Sequence, residues 1–105
     1  MEFKTENIEL NGQTFTSVIL DDESPGLSKL SELKQIILEK LETGQKFIAI
    51  DLGSVSNMNS SGLGILISCL KSVKEFQGEF VLLNPCDKLR HIFQITKLDS
   101  VFNII

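Results

Sequence analysis

The residues best placed to do chemistry are Ser60 and Ser61, in the stretch DLGSVSNMNSSGLGIL from Asp51 to Leu66. A serine hydroxyl can attack a carbonyl, cap a helix or accept a phosphoryl group. Attack needs a neighbouring base and an orienting acid. His91 is the only imidazole in the chain, and no G-x-S-x-G occurs. A serine hydrolase is therefore the weakest of the three readings, and His91 reads as a solvated or packed helix residue. Cys69 and Cys86 do not form a C-x-x-C pair, and no Cys/His cluster has metal spacing. The GLG at Gly62–Gly64 lacks the spacing of a nucleotide-binding P-loop. Neither catalysis nor a metal or cofactor is expected.

The two remaining roles share one geometry. The first N–H groups of a helix lack internal partners, and the macrodipole makes that end positive. A serine oxygen placed there caps the helix. A phosphate on the same serine meets the same N–H groups and dipole, while adding negative charge and bulk to the surface. Gly62 and Gly64 would let another protein approach the backbone closely. Cap and phosphorylation site both stay open on this evidence.

These residues need elements to hold them. Asn11-Gly12 favours a tight hairpin turn between strands at Phe3–Leu10 and Thr14–Leu20. Ser24-Pro25 reads as a helix start, with the serine as cap. Leu27, Leu30, Leu33, Ile37, Leu38 and Leu41 then recur at helical spacing, and Gly44 closes the helix. The apolar run Lys46–Leu52 predicts a strand buried on both faces. Gly62 to Gln77 predicts a second helix with Leu63, Leu66, Ile67, Leu70 and Val73 inward. Ile65, Cys69, Ser72 and Phe76 form a second stripe, for packing on a neighbouring helix or for contact beside Ser60. Glu79–Leu83 is a strand, Asp87 to about Ile95 a third helix, and SVFNII a short last strand.

The order β-β-α-β-α-β-α-β over residues 1–105 predicts one α/β domain with a mixed sheet and flanking helices. Binding sites in such sheets gather beyond the carboxyl ends of the strands. The loop carrying Ser60 leaves such an end. The acidic run Asp21–Glu23 follows another, and reads as a solvated loop or a neighbour of the partner surface.

The chain's 105 residues include 42% apolar ones, enough for one packed core. Its net charge of −4 offers no electrostatic reason to bind nucleic acid or an anionic membrane. The N-terminus lacks a signal-peptide pattern, and no apolar run approaches the ~20 residues of a membrane span. A soluble cytoplasmic protein is expected.

The stretch IAIDLGSVSNMNSSGLGILISCLKSV resembles the signature of STAS domains, and within them of bacterial anti-sigma factor antagonists. Ile48–Leu52, Ser60, Ser61, Gly62, Leu63 and Gly64 carry the match. The later FVLLNPCDKLRHIFQITKLDSVFNI is similar to the family's closing strands and third helix. The resemblance runs from about Phe3 to Ile105 and is strongest from Lys46 onward.

It implies a non-enzymatic binding partner of an anti-sigma factor that is also a serine kinase. Binding releases a sigma factor. Phosphorylation at Ser60, or less readily Ser61, breaks the complex, and a PP2C-type phosphatase restores it. Asn59, Ser60, Ser61, Gly62, Leu63, Gly64 and Ile65 are the implied contact residues. Asn59 stands where the family has an aspartate, so the charge is missing there. The family usually adds a fourth helix after the last strand, which this sequence lacks. One face is thus expected to be less covered, or covered by a partner or in a homodimer. The alternative role is a STAS scaffold subunit, of a lipid-transport ABC system or a stressosome-like assembly, without a phospho-switch.

Overall fold

The computed structural model describes residues 3–105. Strands β1 (Lys4–Leu10) and β2 (Gln13–Ile19) pair antiparallel, with Ile8 opposite Phe15. Asn11 and Gly12 make the turn at φ 52° and 81°. Two consecutive positive φ values are what a two-residue hairpin turn requires.

Each later strand adds to the same edge. β3 (Phe47–Asp51) lies beside β2, β4 (Glu79–Leu83) beside β3 and β5 (Asn103–Ile104) beside β4, all parallel. The crossovers are α1 (Leu27–Glu42), α2 (Ser60–Glu75) and α3 (Asp87–Ile95), the last followed by a 3-10 turn at Leu98–Ser100. Right-handed crossovers that all step one way put their helices on one face of the sheet. The main core reflects this. Leu30, Leu33 and Ile37 of α1, Leu66 and Val73 of α2, and Leu89 and Phe93 of α3 pack with Val18, Ile48, Ile50 and Leu82 of the strands.

Alternate strand residues form a smaller cluster on the other face. Phe15, Ala49, Val81 and Leu83 are buried there, with Ile8, Leu10 and Phe47 packed against them. The Phe15 and Phe47 rings meet edge to face at 5.7 Å. β3 is thus buried on both faces, although helices cover only one.

Three boundaries differ from the sequence reading. Helix α1 begins at Leu27 with Gly26 as its cap residue, and no side chain caps it. Ser24 and Pro25 lie before the helix, and Pro25 is buried. Proline burial thus outweighed the usual cap-then-proline start. Helix α2 begins at Ser60, a little before the expected Gly62. It ends at Glu75, and Gln77 takes φ 61° before Gly78. Gly78 completes the closing turn, its N–H donating to the Val73 carbonyl at 2.9 Å, and also allows close approach: a Cβ there would sit 1.9 Å from the Lys46 carbonyl oxygen. Gly44, at φ 94°, does follow α1 as a left-handed closing residue. The last strand contracts to two residues because Lys97, at φ 61°, turns the chain into the 3-10 segment.

Candidate functional site

The loop from Leu52 to Asn59 leaves the carboxyl end of β3 and is fastened at each step. The Gly53 N–H donates to Asp51 Oδ1 at 2.9 Å, a local aspartate turn. The Val55 N–H donates to the Leu52 carbonyl at 3.0 Å. The N–H groups of Ser56 and Asn57 both donate to the Glu23 carbonyl, at 2.8 and 3.1 Å. The Cys86 thiol donates to the Val55 carbonyl at 3.5 Å. The side chains of Val55 and Met58 are buried in the main core. So the β2–α1 and β4–α3 loops brace the loop from either side, and two apolar side chains pin it from below.

Asn59 then closes it. Its backbone is extended, at φ −86° and ψ 177°, and its side-chain oxygen accepts the Gly62 N–H at 2.9 Å. This corrects the expectation that a serine caps α2. Three adjacent polar residues can all cap, and the register set by buried Met58 gives the task to the first.

Ser60 and Ser61 are the first two residues of α2, and both are exposed. Neither hydroxyl is engaged by a described residue. No acidic side chain lies in that first turn to offset the positive helix end.

The other members of the expected contact set divide. Gly64 is exposed, and a Cβ there would meet nothing within 4 Å. Ile65 is half-buried. Leu63 is buried in the core. Gly62 is buried too: a Cβ on it would lie 2.6 Å from Met58 Cγ and 2.9 Å from Leu30 Cδ1. Its missing side chain lets α1 and the loop close on α2, so the open approach belongs to Gly64.

The second α2 stripe does not hold together as a surface. Cys69 is fully buried in the main core, and burial pushes its thiol up to about 12, against a weak opposing pull from Lys34. Ile65 and Ser72 are half-buried and Phe76 is exposed. His91 is exposed on α3, far in sequence from the serines. Among the described residues, no group of His, Cys, Asp and Glu could hold a metal ion. Among the described residues, no helix is long and apolar enough to cross a membrane.

Asp21 and Asp22 lie 3.7 and 3.9 Å from Lys29 Nζ. Through Glu23, the acidic run adjoins the serine loop. The sequence reading offered this neighbourhood as one alternative to a solvated loop, whereas the bond itself uses a main-chain carbonyl that no residue type reveals. The pinning role of Val55 and Met58 was missed, although two apolar residues in a polar loop are its signal.

The family model described as STAS domain matches residues 28–105, well over half of the chain. This chain belongs to the STAS domain family. The STAS domain is 40% identical over 57 residues to the anti-sigma-B factor antagonist of Listeria monocytogenes, a match covering 54% of this chain and 50% of that protein. The chain thus spans about half the length of that curated relative. It is 29% identical over 73 residues to the anti-sigma-B factor antagonist of Staphylococcus aureus, covering 70% of this chain and 68% of that one. Its fold matches the Bacillus cell fate determinant SpoIIAA in the phosphorylated form, with a TM-score of 0.69 and 20% identity over 99% of this chain and 91% of that chain. At that identity the likeness is one of fold. The five-stranded mixed sheet and three helices of this STAS domain agree with it.

Proposed function

We propose that this STAS domain is a cytoplasmic anti-sigma factor antagonist. It binds an anti-sigma factor serine kinase at the start of α2, which frees a sigma factor. Phosphorylation of Ser60 ends the complex, and a PP2C-type phosphatase restores it. The relatives' names support the antagonist role.

One observation carries the site assignment. Asn59 has taken the cap, so Ser60 stands exposed on the first turn with no structural task of its own. A phosphate there adds about −1.5 to −2 charges, which the helix end tolerates and a closely docked partner does not. The bracing of the loop by Glu23, Val55 and Met58 holds the serine in place for a kinase active site.

The test is phosphorylation of the purified chain with its kinase and ATP, read by intact mass. One phosphoryl group should be gained, and Ser60→Ala should abolish the gain. Gain that persists in Ser60→Ala would overturn the site assignment. A second reading, a STAS scaffold subunit, draws on Asn59, since a neutral cap completes the interface without the family's carboxylate. Co-purification with a transporter ATPase from native cells, without a kinase, would favour it.

A further inference from the structure

Leu27 belongs to the apolar stripe of α1, yet it is 58% exposed while Leu30, Leu33, Ile37 and Leu41 of the same helix are buried. Residues 27, 30 and 34 share one side of a helix. That side faces α2. Leu30 Cδ1 lies 2.9 Å from where a Gly62 Cβ would sit, and Lys34 Nζ donates a hydrogen bond to Ser68 Oγ. Both helices start at the carboxyl end of the sheet and run the same way. Three residues back from Leu30, a rise of about 4.5 Å, brings Leu27 level with Asn59–Ser61. There the stripe runs past the core that buries its other members. Leu27 therefore stands beside the exposed serines with no interior to fill.

We infer that Leu27 is the apolar anchor of the surface on which the Ser60 kinase docks. This rests on the function proposed above, and it extends the contact surface to a second helix. The occupant follows from size. A specific protein contact covers roughly 800 Å² on each partner, a patch about 30 Å across. Packed helix axes lie only about 8–10 Å apart. A protein whose active site reaches Ser60 on α2 must also cover the first turn of α1. The complementary feature on the kinase is a concave apolar pocket beside its active-site mouth. Burying Leu27 there removes apolar surface from water on binding, the kind of contact that dominates interface energetics. Gly64, open to solvent one turn along α2 from Ser60, lets the rest of the partner approach.

The experiment measures binding of the full chain to the purified kinase that phosphorylates it, by calorimetry, with folding checked by circular dichroism and thermal midpoint. Leu27→Ala should weaken binding about tenfold and Leu27→Asp roughly a hundredfold, with thermal midpoints unchanged. Ile95→Asp is the control. Ile95 is 66% exposed at the far end of α3, and its replacement should leave binding as it was. Equal binding by wild type and Leu27→Asp would overturn the inference and leave the function standing. An equal loss in Ile95→Asp would overturn it too, by making the effect generic. A wild-type chain that neither binds the kinase nor is phosphorylated would remove the proposed function, and the anchor with it.

Discussion

The side-chain oxygen of Asn59 accepts the Gly62 N–H at 2.9 Å, so the residue before the two serines closes helix α2. The serines are thereby separated from the fold's stability. A cap holds one of the free N–H groups at a helix start, and substituting it has a known scale of effect. The serines are exposed and lie outside that bond.

Asn59→Ala should lower stability by about 1 kcal/mol, read as the urea midpoint. Asn59→Asp should keep the cap and add a favourable charge at the positive helix end, worth about 0.3–1 kcal/mol. In the kinase assay, Asn59→Asp is expected to raise the rate at Ser60, because it supplies the carboxylate that the family resemblance implies at this position. An unchanged or lower rate would show that the amide does not impair phosphorylation.

Gly62 and Gly64 should respond oppositely to the same substitution. Alanine in a helix gains about 1 kcal/mol over glycine. At Gly64 the added methyl meets open space, so Gly64→Ala should be stabilising by about that amount. At Gly62 the methyl meets Met58 Cγ and Leu30 Cδ1 well inside contact distance. Overpacking costs about 1–3 kcal/mol, so Gly62→Ala should be net destabilising. Matched urea curves for the two variants decide it, and a gain at Gly62 would contradict the packing described.

Gly78→Ala should be the most damaging of the glycine changes. Its Cβ would overlap the Lys46 carbonyl, which also accepts the Glu79 N–H at 3.0 Å. A main-chain atom cannot swing aside, so the start of β4 must shift away from β3. A loss of about 3 kcal/mol or more is expected, visible as a large fall in thermal midpoint.

Cys69 should give the fold an alkaline limit. Its thiol ionises at 9.0 when free and at about 12 in the core, because burial disfavours the thiolate. Between those values the unfolded chain sheds a proton that the folded chain keeps. The stabilising contribution is thus complete below about pH 9 and is lost as pH rises toward about 12. Urea midpoints measured across this range should fall more steeply for wild type than for Cys69→Ala. At pH 8 a thiol reagent should modify half-buried Cys86 before Cys69.

The sequence was legible where local chemistry and global fold agreed. Asn11-Gly12 has one good use between two strands, and the structure makes that turn. The alternation of apolar runs gave the strand and helix order, since right-handed crossovers leave few arrangements. It misled where several residues could do one job. Ser24 and Pro25 look like a helix start, but burial of the proline moved the start to Leu27. Asn59, Ser60 and Ser61 can each cap a helix, and only the depth of Met58 selects among them. The two glycines of GLG look alike in a string. What separates them is Leu30, which arrives from more than thirty positions earlier in the chain.

The Glu23 carbonyl, which holds Ser56 and Asn57, bears on how such a domain can diversify. Every amino acid offers the same carbonyl, so residue 23 can be replaced without releasing the serine loop. The Glu23 side chain is then at liberty to be rewritten for a new partner. Frame and vocabulary are stored in different atoms of the same residue, and a lineage can revise the second while inheriting the first.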